Sequence, residues 1–178
     1  MSSIYSVGHG TRQIEEFVHL LRAADVKTLA DVRSAPGSRR HPQFGQAALA
    51  ASLTEARIEY VHLRGLGGRR DAAPDSPHVA LKVDAFRGYA DHMSTEEFAA
   101  DYARLVAIAR ERTTAFMCAE TLWWRCHRRM VSDRLTVDGW DVVHLLAPGK
   151  SEPHRIWDVA RVVDGRLVYD GGAIPLGQ

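Results

Sequence analysis

The sequence predicts an α/β protein with a mostly parallel sheet of about five strands, helices on both faces and a C-terminal β-hairpin. Strand-like apolar runs and helical patterns alternate five times over residues 4–146, which is typical of parallel sheets. Glycine- and proline-rich turns follow the apolar runs. Near the end, an Asp164-Gly165 turn separates two strand-like runs. A chain of 178 residues fits one domain, so residues 1–178 are expected to form a single α/β domain.

The first half of the chain predicts three strands and two helices. Strand Ile4–Val7 stops at a Gly-His-Gly turn, and Thr11 is the predicted cap of the next helix. That helix is indicated by apolar residues at i, i+3, i+4 and i+7, namely Ile14, Phe17, Val18 and Leu21. The elements that follow are strand Thr28–Val32, helix Gln46–Arg57 and strand Ile58–Leu63.

The second half predicts two more parallel strands and the hairpin. Pro74 and Pro77 interrupt residues 71–93, where only a short helix, Ala85–His92, is indicated. Ser94 and Glu97 have the spacing of a capping box for the helix that follows. The remaining elements are strand Thr113–Cys118, a helix over residues 125–138, strand Asp141–Leu146, and a hairpin formed by Val159–Val163 and Arg166–Tyr169.

Composition excludes several classes of protein. The sequence has 23 Lys and Arg residues and 22 Asp and Glu residues, which gives a net charge of +1. The overall electrostatic field therefore does not favour binding to nucleic acid or to a membrane. The apolar runs are shorter than the ~18 residues that span a bilayer, and the first residues lack a signal-peptide core. Two cysteines exclude a disulfide scaffold. A cytoplasmic protein without a membrane partner is expected, whereas the sequence indicates neither the cofactor nor the oligomeric state.

Arginines gather in the loops that follow the predicted strands. The loop after the second strand carries Arg33, Arg39 and Arg40 without an acidic residue between Ser34 and Gln43. The loop over residues 64–70 carries three arginines and three glycines. Because parallel sheets bind ligands at the carboxyl ends of their strands, these loops are expected to meet. The planar guanidinium group of arginine can donate two hydrogen bonds to one phosphate or carboxylate group, so an anion-binding site is predicted there.

The segment from Cys118 to Arg129 leaves four chemical interpretations open. A phosphatase-like nucleophile has the wrong spacing, because six residues separate Cys118 from Arg125. A metal site would use Cys118, Cys126 and His127, but no CxxC pair exists, and neighbours on one helix turn point ~100° apart. The two cysteines could also form a redox pair. The fourth interpretation, an anion site with Glu120 or His127 as proton carrier, is preferred because other loops carry the same type of charge.

Motifs in a fixed order also resemble a known family. They are Ser6-Val7-Gly8-His9-Gly10-Thr11, Asp31-Val32-Arg33 with Pro36, Ser38-Arg39 and Gln43-Phe44, Leu66-Gly67-Gly68, Cys118-Ala119-Glu120 and Cys126-His127-Arg128. Together they resemble, over nearly the whole chain, the bacterial and archaeal family called domain of unknown function 488. The resemblance implies a compact α/β fold and no particular activity. It implies that the signature positions are His9, Asp31, Arg33, Arg39, Cys118, Glu120, Cys126, His127 and Arg128.

The leading hypothesis is a protein that binds a phosphate-bearing small molecule, a nucleotide or a nucleic-acid end, with hydrolase or transferase chemistry as its potential activity. The catalytic candidates are Glu120, His127, Cys118 and Cys126. The substrate-binding candidates are His9, Thr11, Asp31, Arg33, Arg39, Arg125 and Arg128. No metal ligand is assigned, and His144 is expected to be structural. The alternatives are a non-catalytic nucleic-acid-binding module and a metal or thiol-redox protein that uses the two cysteines.

Overall fold

A computed structural model of the protein describes residues 2–172, and within them eight strands and five α-helices follow one another. The strands are β1 (Ser3–Gly8), β2 (Thr28–Asp31), β3 (Glu59–His62), β4 (Thr114–Cys118), β5 (Asp141–Ala147), β6 (Lys150–Pro153), β7 (Ala160–Val163) and β8 (Arg166–Tyr169). The helices are α1 (Ile14–Ala23), α2 (Gln46–Glu55), α3 (Asp84–His92), α4 (Glu96–Glu111) and α5 (Arg128–Val137). The predicted α/β class is confirmed.

Six strands form one sheet in the order β3-β2-β4-β1-β5-β6, in which β1 to β5 are parallel. Side chains along β4 alternate between two buried clusters, which therefore lie on opposite faces of the sheet. Ala115 and Met117 pack with residues of α1 and α2. Phe116 and Cys118 pack with residues of α3, α4 and α5. Helices thus cover both faces, as the sequence predicts.

The edge strand β6 is absent from the sequence prediction. It pairs antiparallel with β5, and its residues, Lys-Ser-Glu-Pro, are polar and mostly exposed. Such a segment has no apolar pattern to mark it, and a proline is tolerated at a sheet edge. The predicted hairpin is confirmed as β7 and β8, with Asp164 and Gly165 at φ values of 49° and 76°. Both residues of its turn therefore have the positive φ that a two-residue hairpin favours.

Two predicted caps are wrong. α1 begins at Ile14 rather than directly after Thr11, and the Glu16 carboxylate accepts a hydrogen bond of 3.3 Å from the Gln13 amide. α4 is capped by Thr95 instead of Ser94, since the Thr95 hydroxyl accepts a hydrogen bond from the Phe98 amide at 3.3 Å. Ser94 and Thr95 are both able to cap, so sequence spacing did not distinguish them.

Thr95→Ala is expected to lower the free energy of unfolding by about 1 kcal/mol, because it leaves the amide of Phe98 without its acceptor. Ser94→Ala is the matched control, since Ser94 is its exposed neighbour. Urea unfolding of both variants measures the difference. If Ser94→Ala lowers the free energy of unfolding more than Thr95→Ala does, then Ser94 is the cap, as the sequence suggested.

The helix predicted over residues 125–138 begins later than expected. A 3₁₀ turn covers Trp123–Arg125, and α5 starts at Arg128. Cys126 lies between them with φ −131° and ψ 153°, which is extended backbone. The second cysteine is therefore not on a helix, and this changes the geometry of the site. No helix within residues 2–172 is both long and apolar enough to cross a bilayer.

Candidate functional site

The loops after the first four parallel strands meet at one edge of the sheet. The His9 amide donates to the Cys118 carbonyl at 3.1 Å, which joins the loops after β1 and β4. The Ser34 hydroxyl donates to the Gly68 carbonyl at 2.6 Å, which joins the loops after β2 and β3. Since α1 and α5 cover opposite faces, the chain leaves β1 and β4 in opposite directions. Parallel sheets have their ligand crevice at such a point.

Gly8 allows the segment after β4 to lie directly against the end of β1. A Cβ atom at this position would lie 2.0 Å from the Glu120 carbonyl oxygen. No side chain fits there, so the close approach of the two loops depends on glycine.

Asp31 and Arg33 form a buried ion pair on the α1–α2 side of the sheet. The guanidinium donates from Nε to one carboxylate oxygen at 2.9 Å and from Nη2 to the other at 2.6 Å. The Tyr60 hydroxyl adds a hydrogen bond of 2.7 Å to Asp31, and Arg33 also donates to the Phe44 carbonyl at 2.8 Å. The charge of Arg33 is therefore neutralised inside the protein.

His9 belongs to the same buried group. Its ring stacks on Phe44 with the centroids 4.2 Å apart, and its Nδ1 lies 2.8 Å from the Gly10 carbonyl oxygen. Burial lowers the pKa of His9 to about 4, so the ring is neutral at pH 7. Hydrogen bonding thus ties His9 to its own loop, and its geometry fits a role in holding the loop.

Three potential metal ligands meet on the other face of the sheet. The sulfur atoms of Cys118 and Cys126 and one ring nitrogen of His127 all lie within 4.8 Å of one another, and we call these three residues the thiol centre. Cys118 ends β4, whereas Cys126 and His127 directly precede α5. The cysteine side chains are buried. Because Cys126 precedes the helix, the divergence assumed for neighbours on one helix turn was wrong here.

The hydrogen bonds of His127 fix the orientation of its ring. Nε2 lies 2.9 Å from the Val32 carbonyl oxygen, which can only accept, so Nε2 carries the proton. Nδ1 is then the acceptor nitrogen, and it lies 3.4 Å from the Cys126 sulfur. Burial lowers the pKa of His127, which favours the neutral ring. The lone pair of His127 Nδ1 is therefore on the side of the ring that faces the Cys126 sulfur.

Arg128 is a fully buried arginine beside the thiol centre, with 1% of its surface exposed. Its guanidinium donates to the Cys118 sulfur at 3.1 Å, the Ser6 hydroxyl at 2.9 Å and the Glu120 carbonyl at 2.6 Å. Within residues 2–172 it forms no ion pair with a carboxylate. The groups able to balance its charge are therefore the two thiols in their ionised form.

The pKa values of the two thiols are shifted in opposite directions. Burial raises the pKa of Cys126, but hydrogen bonding to Cys118 and the charge of Arg128 outweigh burial and lower the pKa to about 7. Burial and the neighbouring Cys126 sulfur raise the pKa of Cys118 well above its ordinary value. The pair thus loses its first proton near neutral pH. Arg128 donates to both sulfur atoms, from its guanidinium to Cys118 and from its backbone amide to Cys126.

The other predicted site residues lie outside this cluster. The Glu120 side chain is exposed and accepts from the Leu122 amide at 3.2 Å, while its backbone carbonyl, not its carboxylate, meets Arg128. Thr11, Arg39 and Arg125 are exposed. Anion binding at this edge stays a prediction, and the exposed Arg39 and Arg125 are better placed for it than the internally engaged Arg33 and Arg128.

A cleft of about 790 Å³ lies beside the loop after β3. Three arginines line it, of which Arg70 pairs with Glu97 at 3.3 Å and Arg87 pairs with Asp84. Two of its three guanidinium groups are therefore matched by carboxylates. We assign no ligand to this cleft.

A chain of buried polar side chains was missed by the sequence analysis. His144 Nε2 lies 2.9 Å from His154 Nδ1, and His154 Nε2 lies 2.7 Å from an Asp133 carboxylate oxygen. We call these three residues the His–His–Asp chain. They are 10 and 21 residues apart in sequence, so no local motif marks them.

Comparison with known proteins supports the resemblance seen in the motifs. The model of a family described as Domain of unknown function DUF488 matches residues 13–135, about two thirds of the chain. The matched range includes the thiol centre and Arg128. Searches of curated proteins and of solved structures gave no match. The chain therefore belongs to the DUF488 family.

Proposed function

We propose that the thiol centre binds a divalent transition-metal ion, with zinc as the best fit. The observation that carries the proposal is the approach of two cysteine sulfurs and one imidazole nitrogen to within 4.8 Å of one another. Zinc sites are built from these donors at about 2.0–2.3 Å from the ion. Thiolate and imidazole ligands together favour zinc over magnesium or calcium, which prefer oxygen ligands.

The surroundings of the three ligands support the same proposal. Histidine ligands of metals usually donate their other ring N–H to a carbonyl or carboxylate, as His127 does to Val32. The Arg128 amide lies 3.5 Å from the Cys126 sulfur, and the Arg128 guanidinium donates to Cys118. Both donors stabilise thiolates.

Three protein ligands leave one position of a tetrahedral zinc ion for water or substrate. This arrangement is typical of catalytic zinc, whereas structural zinc has four protein ligands. A zinc ion in this position would lower the pKa of its bound water and polarise a substrate oxygen. We therefore propose a metal-dependent enzyme that hydrolyses or transfers a polar group at the crevice between the loops after β1 and β4.

Elemental analysis of the purified protein tests the proposal. After equilibration with zinc and dialysis, we expect about one zinc ion per chain in the parent protein. Cys118→Ser, Cys126→Ser and His127→Gln should lose most of it. His19→Gln is the matched control, because His19 is exposed on α1. Equal zinc content in all five proteins, or no zinc in the parent, would contradict the proposed function.

Gly68→Ala is expected to weaken zinc binding by about 10- to 100-fold, the range seen when the surroundings of a metal ligand are disturbed. A Cβ atom at Gly68 would lie 2.9 Å from His127 Nδ1, so the ring has to move. Gly37→Ala is the control, since nothing lies within 4 Å of its Cβ position. Competition against a zinc-sensitive dye measures both affinities, and equal values would argue against His127 as a ligand.

A further inference from the structure

The two cysteines of the thiol centre are near enough to react with each other. The sulfur atoms of Cys118 and Cys126 lie within 4.8 Å of one another, and both residues are free cysteines. A disulfide holds its sulfur atoms at about 2.05 Å, so they have to approach by less than about 3 Å. The chain contains two cysteines, so each has the other as its single partner within one molecule.

The segment that joins the cysteines is able to accommodate this approach. Five of the seven residues 119–125 are exposed, so the segment can shift without opening the core. Cys126 lies on extended backbone between the 3₁₀ turn and α5, and it belongs to neither element. The thiol of Cys118 is held only by a long contact of 3.9 Å to the Glu120 carbonyl oxygen and by the hydrogen bond from Arg128.

Burial favours a bond within the molecule over a bond to another thiol. Cys118 is 3% exposed and Cys126 is 6% exposed. Thiol–disulfide exchange with a second protein requires access to the sulfur atom, which this burial restricts. A hydroperoxide is a smaller oxidant, and thiolates react with it directly. The structure therefore favours oxidation by a small hydroperoxide and closure onto the neighbouring cysteine.

Hydrogen bonds from Arg128 favour a disulfide that is easily reduced. Its guanidinium donates to the Cys118 sulfur at 3.1 Å, and its backbone amide lies 3.5 Å from the Cys126 sulfur. Such donors bind a thiolate more strongly than the uncharged sulfur of a disulfide. Stabilisation of the reduced form makes a disulfide a stronger oxidant, so the bond would be reversible instead of a permanent staple.

We propose that Cys118 and Cys126 are a reversible redox pair, that a small hydroperoxide oxidises them to a disulfide, and that this bond releases the metal ion of the thiol centre. The release of metal rests on the proposed function, whereas the disulfide itself does not. Zinc binds thiolates, and the sulfur atoms of a disulfide have lost that charge. His127 would then be the one ligand left of the three.

The chemistry of the oxidation balances with hydrogen peroxide as the oxidant. One thiolate attacks a peroxide oxygen, the O–O bond breaks, and a sulfenic acid and hydroxide form. The other thiolate attacks the sulfenic sulfur, which forms the S–S bond and expels a second hydroxide. The two sulfur atoms supply the two electrons that reduce the peroxide. Two protons from the solvent convert the hydroxides to water.

Thiol counting and mass spectrometry of the whole protein test this proposal. In the metal-free protein, hydrogen peroxide should lower the number of free thiols from two to none, and dithiothreitol should restore both. Trypsin cleaves after Arg125, so the disulfide should link the peptide of residues 113–125 to that of residues 126–128. In the zinc-loaded protein, a zinc-sensitive dye should detect about one released ion for each disulfide.

Cys118→Ser and Cys126→Ser are the controls, because each keeps one thiol without a partner in its own chain. In their monomers, isolated without reductant, excess peroxide should convert that thiol to acids that dithiothreitol does not reduce. Recovery of the thiol in these monomers to the same extent as in the parent would overturn the redox pair. So would a parent protein in which the linked peptide fails to form, or forms only within covalent dimers.

The outcomes also separate the redox pair from the metal site. If the parent binds zinc but forms no linked peptide, the metal site stands and the redox pair fails. If the linked peptide forms in a parent that binds no zinc, the redox pair stands and the proposed function fails. A disulfide that forms while zinc stays bound would overturn the release of the metal.

Discussion

Arg128→Met is expected to lower the free energy of unfolding by about 2–6 kcal/mol, because two buried oxygen acceptors lose the donor that satisfies them. The Arg128 guanidinium satisfies the Ser6 hydroxyl and the Glu120 carbonyl, and it lies against the Cys118 sulfur. Methionine fills part of the volume but donates no hydrogen bonds. The acceptors would then stay buried without partners, which costs about 1–3 kcal/mol each.

Urea unfolding in the presence of a chelator measures this loss without any contribution from bound zinc. Arg125→Met is the control, because Arg125 is an exposed arginine of the same segment. Exposed substitutions usually change stability by less than about 0.5 kcal/mol. Equal stability of the two variants would show that the buried guanidinium does not hold the loop after β4 against β1.

Zinc is expected to raise the melting temperature of the parent protein, and Cys126→Ser is expected to abolish the increase. Zinc at 100 times its dissociation constant stabilises the folded state by about 2.7 kcal/mol. For a chain of this size, that free energy corresponds to an increase of about 5–10 °C. Differential scanning calorimetry with and without zinc measures it. The same increase in Cys126→Ser would place the stabilising ion elsewhere.

The increase in melting temperature that zinc causes should become larger as the pH rises from about 6 to 8, because thiols bind zinc as thiolates. The pKa of Cys126 is lowered to about 7 in the folded protein. A lowered pKa stabilises the folded state above the ordinary thiol pKa of about 8.5, and this contribution is lost as the pH falls through 7. The raised pKa of Cys118 acts in the opposite direction in the metal-free protein, but zinc needs both thiolates. A larger zinc effect at pH 6 would contradict thiolate ligation.

The parallel sheet was predictable because its core strands carry an unbroken apolar signal. All five residues of β4 are buried, and the sequence marks this strand clearly. The strand β6 was not predictable, because an exposed polar edge strand is held by backbone hydrogen bonds to β5 that leave no pattern in its side chains. Likewise, the position of Cys126 outside α5 depends on a 3₁₀ turn that resembles the start of the helix in sequence.

The position of the crevice could be predicted from the sequence, but whether its charged side chains are buried or exposed could not. The rule that loops meet at the carboxyl ends of parallel strands brought His9, Arg33 and the segment from Cys118 to Arg129 into one candidate set. Whether an arginine faces solvent or the interior depends on tertiary packing, and Arg33 and Arg128 proved to be buried. The His–His–Asp chain was beyond sequence analysis, since its members come from α5, β5 and the segment after β6.

X-ray absorption at the zinc edge gives the most direct test of the thiol centre. We expect two sulfur atoms at about 2.3 Å and a histidine nitrogen at about 2.0–2.1 Å from the ion, with a light atom in the fourth position. A first shell of oxygen and nitrogen without sulfur, or one with a single sulfur, would show that Cys118, Cys126 and His127 do not hold the metal together.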